Sequence, residues 1–360
     1  MANKSSQKKK GLYYNSQLAP STTASQLQTF GTTAVSSHTI SLVFRLSRPR
    51  TWSFPTISFL LGYVLTTGWN YFQLGVGLLI ACLVTGATNI VNAYADRKED
   101  VVNQPRRVFW LDQMGRKAAV GSVIVLYGFS TALSIYLGLA YMFVLSLGVF
   151  NSLFYSLPPL RFKARPLPSL ISFSGAVGLA FLAGTSVTGR ISFASPMLWL
   201  VTYFMFTYGT VKNLPDYSGD KKAGTRTTAT IFSNIGRAIT FSSILLVSPY
   251  ILLVSMIVAG LLPPIYFLDL ILFPLLIFIL YNMRKAKNGE GLEKAHTYGF
   301  FYAISFLLFT LVVSSPTLKA LGVVIGTFLW TLLVSRIHMD SRIENRDWER
   351  AAPRKRVVAK

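Results

Sequence analysis

Two short stretches hold the residues whose types and spacing point to chemistry. In "NIVNAYADRKED" (89–100), Asn92, Asp96 and Asp100 recur at i, i+4 and i+8. In "VKNLPDYSGDKKAGTRTTA" (211–229), Asp216 and Asp220 repeat the interval, with Asn213 one turn earlier. On a helix, residues four apart share a face with a rise of about 6 Å per step, so each stretch presents a ladder of oxygen ligands. Stacked carboxylates repel, which calls for a cation between the ladders. Hard oxygens suit Mg²⁺, which takes one or two carboxylates together with waters and phosphate oxygens. Zinc would draw on His or Cys, and His38, His296 and His338 are far away in sequence. Arg97, Lys98, Arg106, Arg107, Lys221, Lys222 and Arg226 are donors suited to an anionic phosphate. Acids, a cation and a ring of bases at the mouth of a helical bundle describe a diphosphate site facing an apolar cavity. A charged cluster such as "DRKED" is also how a helix leaves a membrane, but two ladders of the same interval are harder to obtain as decoration.

The elements that must carry these ladders are membrane spans. The chain has 360 residues, 52% of them apolar and 13% charged, where about a quarter charged is usual for a soluble domain. Apolar windows near the length of a bilayer crossing fall at 51–67, 71–95, 118–137, 140–157, 168–188, 196–210, 238–260, 265–283, 297–315 and 320–334. Gly68, Gly138, Pro158-Pro159, Gly189, Pro263-Pro264 and Pro316 punctuate them. The expected fold is all-α, a polytopic bundle of nine to ten transmembrane helices around a central cavity open to lipid. Three regions follow: a disordered basic arm at 1–43, a transmembrane domain at 44–335 and a charged tail at 336–360.

The net charge of +22 suggests nucleic acid until it is mapped. With ten spans, 33 of the 35 Lys and Arg lie on the side of the N-terminus, and only Arg190 and Lys319 lie opposite. Basic loops stay cytoplasmic, so both termini and both ladders are expected there, and an organelle inner membrane is also compatible. The bases are spread over every inner loop and form no stripe, so anionic lipid headgroups explain them better than nucleic acid. The single cysteine, Cys82, allows no disulfide framework. Residues 1–40 lack the apolar core of a secretory signal, while their Ser-rich, acid-free composition is compatible with a transit peptide.

Four segments together resemble the intramembrane prenyltransferases of the UbiA family. "VNAYADRKED" followed by "NQPRR" is similar to the family's first aspartate-rich motif, and "KNLPDYSGDKKAGTRTTA" to its second. "RLSRPRTW" and "FYSLPPLRFKAR" are also similar to family segments, and the likeness covers roughly 44–315. It implies a helical bundle that binds Mg²⁺ and an isoprenyl diphosphate and passes the prenyl group to a lipophilic or aromatic acceptor. Carried over by position, Asn92, Asp96, Asp100, Asp216 and Asp220 are the metal and diphosphate ligands. Arg48, Arg106, Lys163 and Lys221 are diphosphate contacts. The chain departs from the pattern at Ala93, where many members have Asp, and at "RRVFWLDQMG", where many have a Pro-rich loop. The tenth span and long N-terminal arm are also additions.

Aromatic faces near the ladder ends, Tyr155 among them, are suited to an allylic cation, although packing is their commoner role. Asn151 is either an acceptor-orienting group or a helix–helix hydrogen bond. Asp269 follows Pro263-Pro264 and is read as lying at the outer interface. Two rival functions remain open: a membrane terpene cyclase that uses a prenyl diphosphate alone, and a lipid transporter.

Overall fold

The computed structural model describes residues 32–286 and 288–336. The first 31 residues of the expected basic arm and the tail from 337 onward lie outside the described residues. Fourteen α-helices and no strand occur among those described. They begin with α1 (Thr32–Leu46), α2 (Ser53–Thr67), α3 (Tyr71–Ala95), α4 (Arg97–Asn103) and α5 (Pro105–Met114). Next come α6 (Arg116–Ser134), α7 (Leu139–Ser156), α8 (Pro166–Ser186) and α9 (Pro196–Lys212). The series ends with α10 (Tyr217–Ala223), α11 (Ile235–Val258), α12 (Phe273–Lys285), α13 (Gly289–Ser314) and α14 (Leu318–Arg336). Helix α1 crosses the boundary expected at 43. Residues from Ser41 onward form one compact unit, which is described below.

Every apolar window of the sequence falls on a helix. Seven segments are long and apolar enough to cross a membrane unaided: Tyr71–Ala95, Arg116–Leu137, Leu139–Ser156, Pro166–Ser186, Ile235–Val258, Pro264–Lys285 and Gly289–Ser314. Helices α2 and α9 have only 15 and 17 residues. They are also strongly enclosed, with Ile57–Tyr63 and Thr207–Val211 buried without interruption. Large apolar side chains such as Ile124, Val125, Phe129, Ile244, Ile251 and Leu329 are more than half exposed. Exposure of that extent suits hydrocarbon as solvent and disfavours water.

The tightest seam joins α2 to α8. A Cβ added at Gly62 would stand 2.2 Å from the Phe181 carbonyl oxygen, and one at Gly184 would stand 2.2 Å from that of Phe59. The Ser58 hydroxyl donates across the same seam to the Val177 carbonyl at 2.8 Å. Small residues thus let two backbones approach where apolar burial gives helices no net drive to associate. Gly184→Ala forces the helices apart and should cost about 1–3 kcal/mol, lowering the melting temperature in detergent. Gly121→Ala in α6, with nothing within 4 Å of the added carbon, should leave that temperature unchanged or raise it.

Candidate active site

Both ladders form at helix ends. Helix α3 stops at Asp96 (φ −97°, ψ 9°), where α4 takes over. The backbone carries the four-residue interval across the break: Asp96 N–H donates to Asn92 O at 2.9 Å, Asp100 to Asp96 at 2.8 Å and Gln104 to Asp100 at 2.8 Å. In the second stretch Asp220 N–H donates to Asp216 O at 2.9 Å, and Gly224 in the left-handed region (φ 71°) ends α10. Helix α10 packs against α4, so the two acidic tips meet.

The first ladder is enclosed by bases and hydroxyls. Asp96 and Asp100 are buried, whereas Asp216 and Asp220 are half-buried. Lys163 pairs with Asp96. Arg107 Nη1 donates to Asp100 at 2.7 Å, and Arg161 Nη2 donates to Glu99 at 2.5 Å. Asn92 Oδ1 accepts from Ser156 at 2.8 Å. Burial, above all, lifts the Asp100 carboxyl from 3.8 to about 6; Arg107 opposes the shift, Asp96 adds to it, Lys163 opposes it and Asp216 adds to it. Mutual influence between Asp100 and Asp216 places acids of both tips in one field. A raised carboxyl stabilises the folded protein fully below the unfolded value near pH 4, and that contribution is lost as pH rises through about 6.

A second chain of contacts leads away from Asp100. Arg107 Nη2 also donates to the Asn89 carbonyl at 3.0 Å. The Asn89 amide donates to Ser47 O and to Thr51 Oγ1, both at 2.9 Å. These flank Arg48, a non-glycine residue in the left-handed region (φ 50°), and the 3-10 turn Pro49–Trp52 that opens α2. Arg48 therefore stands on a turn wired to the first ladder.

Other sequence candidates are placed differently. Arg106 lies over the Phe109 and Trp110 rings at 5.1 and 5.8 Å, so the buried partner of Asp100 is its neighbour Arg107. Lys221 donates to Tyr217 at 2.9 Å and to Ser233 O at 3.1 Å. Tyr155 accepts from Lys212 at 3.3 Å, and Lys212 lies 4.5 Å from the Phe173 ring. The Asn151 amide donates to Ser172 O at 2.9 Å and accepts from Ser172 Oγ at 2.7 Å, which fastens α7 to α8. Asp269 is fully buried among the helices, with Thr310 of α13 donating to it at 3.2 Å. Arg107, read only as one of several phosphate donors, is the partner of Asp100, and Asn89 was missed. Asn89 carried a signal, being an amide inside an apolar span.

The donor set fits Mg²⁺. Four ladder carboxylates and an amide supply hard oxygens, and burial of Asp96 and Asp100 beside each other favours a cation. Among the described residues no three His, Cys, Asp or Glu side chains close into a metal cage.

Fold and site define an integral, multi-pass membrane protein with paired acid-bearing helix tips. The model of the UbiA prenyltransferase family matches residues 54–304, and the chain belongs to that family. The bacteriochlorophyll synthase 34 kDa chain of Chloroflexus aurantiacus is 30% identical over 191 residues, 51% of this chain and 61% of that protein. Digeranylgeranylglyceryl phosphate synthase of Methanothermobacter thermautotrophicus is 30% identical over 164 residues, 45% of this chain and 57% of that protein. The aligned stretch thus spans less than two thirds of either relative. A UbiA homolog from Archaeoglobus fulgidus bound to GPP and Mg²⁺ superposes with a TM-score of 0.56 at 20% identity, covering 75% of this chain and 99% of that one. At that identity the likeness is one of fold.

Arg107→Met strands the Asp100 carboxylate and should cost about 3–5 kcal/mol of stability. Arg106→Met, at a side chain that is only half-buried, should cost less. Thermal unfolding in detergent, followed by tryptophan fluorescence, ranks the two; equal losses would contradict the assignment of Arg107.

Proposed function

We propose that this chain is a magnesium-dependent prenyltransferase that moves an isoprenyl group from a prenyl diphosphate to an acceptor, an aromatic ring of phenolic or quinone-like type. The observation that carries the reading is the meeting of α4 and α10, which brings Asp96, Asp100 and Asp216 into one field beside Lys163 and Arg107. The two synthases similar to this chain and the homolog bound to GPP and Mg²⁺ support it. In this reading Asn92, Asp96, Asp100, Asp216 and Asp220 hold Mg²⁺, and Arg48, Arg106, Lys163 and Lys221 meet the diphosphate. The ladders and both termini face the cytoplasm.

Magnesium, when bound, supplies positive charge that stabilises the leaving diphosphate. The chain's own contribution is to fix and desolvate. Lys163 and Arg107 are held beside Asp96 and Asp100, so positive charge already stands at the acid tips before the ligand arrives. An open apolar groove lies between α9 and α11, bounded by Trp199, Tyr203, Ile251 and Met256 among others, toward the end of α9 away from Asp216. Exclusion of water keeps an allylic cation from being quenched.

Asp96→Asn and Asp216→Asn should each lower turnover of a labelled prenyl diphosphate by about 10²–10³-fold, with membrane insertion intact. Wild-type rates in either variant would remove the paired-tip site.

A further inference from the structure

Helix α14 lies beyond the residues that the family model matches, yet one of its side chains reaches the turn that opens α2. The Trp330 indole Nε1 donates to the Pro49 carbonyl at 3.1 Å, across 281 positions of sequence. Its ring stacks on Trp52 at 5.9 Å, with the two planes 22° apart. Phe44 of α1 meets both rings edge-on, Trp52 at 5.6 Å and Trp330 at 6.5 Å. Around Trp330, Thr331 and Val334 are buried, whereas Leu329, Leu332 and Leu333 are exposed. Helix α14 packs against this turn and against α13, so one face holds the turn and another is left to lipid. A tryptophan near the end of a span commonly serves as an interfacial anchor. Here its one polar group is spent on a backbone carbonyl of the protein.

The turn itself has need of such a contact. Among the described residues only Arg48 and Arg161 carry a β-carbon at positive φ, and Arg48 sits at φ 50°, ψ 65°. The proline that follows it disfavours helical backbone and pushes Arg48 toward an extended conformation. A left-handed residue keeps its place only where neighbouring contacts leave it no alternative. Asn89 of α3 fixes residues 47 and 51 through Ser47 O and Thr51 Oγ1. Trp330 fixes residues 49 and 52, the alternate pair. Arg48 is thus held from two helices that are far apart in sequence, one of them carrying the first ladder.

We propose that Trp330 is a positioning residue for the donor. By holding Pro49 and Trp52 it keeps Arg48 in the conformation in which it meets the diphosphate, and this makes the tenth span part of the donor site. The inference rests on the prenyltransferase reading, and adds to it a residue that touches neither substrate. A tryptophan that only fastened α14 to the bundle would contribute to stability and leave donor affinity alone.

The test measures binding of labelled geranyl and geranylgeranyl diphosphate, with Mg²⁺, to the purified full chain in detergent. It also records melting temperatures without ligand. Trp330→Phe keeps the ring and removes the N–H; it should raise the Kd of whichever donor the wild type binds by about 3–10-fold. Trp330→Leu, which loses the stacking as well, should raise it further. Leu333→Ala, on the exposed face of the same helix, should leave the Kd as it is. The decisive comparison is a double-mutant cycle with Arg48→Met. That substitution should weaken donor binding by itself, and Trp330→Phe should then add nothing. A lower melting temperature in Trp330→Phe with an unchanged Kd overturns the proposal, because the indole then serves only to fasten α14. Additive losses in the cycle overturn it too, because Trp330 would then act by a route other than Arg48. If the wild type binds neither donor in the presence of Mg²⁺, the prenyltransferase reading falls and this inference with it. Binding that is equal in the wild type and both Trp330 variants removes only the inference.

Discussion

The end of the bundle that carries the acids is organised by the Asp100–Arg107 pair, two opposite charges withdrawn from water together. Asp100 is 5% exposed and Arg107 4%. Each would lose several kcal/mol of hydration if buried alone, so the geometry has to be close, and at 2.7 Å it is. The pair joins α4 to α5, beside the Arg97–Asp112 bridge between the same two helices and the packing of Trp110 and Leu111 of α5 with Ile90 and Ala93 of α3. Arg107 spends its second nitrogen on the Asn89 carbonyl, and Asn89 spends its side chain on Ser47 and Thr51. One ion pair therefore sets the first ladder and the arginine turn as a single body.

That turn holds strain. Arg48 in the left-handed region costs on the order of 1–3 kcal/mol and persists only where its surroundings over-determine it. Here three successive carbonyls are fixed: Ser47 by Trp52 and Asn89, Arg48 by the N–H and hydroxyl of Thr51, and Pro49 by the Trp330 indole at 3.1 Å. Trp330 also stacks on Trp52 at 5.9 Å. It belongs to α14, beyond the residues that the family model matches. The additional helix is thus a brace for the turn that presents Arg48 and Arg50.

The ladders were legible in the sequence because four-residue spacing is a property of the backbone alone, and it survives the break at Asp96. The membrane helices were legible because lipid imposes long apolar runs. What stayed hidden depends on contacts between elements. The motif "NQPRR" offers two arginines, and only the angle between α4 and α5 decides that Arg107 turns inward while Arg106 lies on Phe109 and Trp110. An asparagine at 151 has the same composition whether it faces a ligand or Ser172. Asp269 follows two prolines, and nothing local announces its partner Thr310, 41 positions later.

The pairings at the tips bear on how the proposed ligands enter. Asp96 and Asp100 already have Lys163 and Arg107, so as a chelator of metal alone this end of the protein is weakened by its own bases. A diphosphate is the one ligand that suits both sets of groups: its oxygens draw the lysine and arginine, and they complete the shell of an ion held by one or two carboxylates. Under the proposed function, metal and prenyl diphosphate are therefore coupled ligands, each raising the affinity for the other, and by linkage the effect is equal in both directions. The internal ion pairs keep the buried acids balanced in the meantime, which allows this end of the bundle to fold before either ligand arrives.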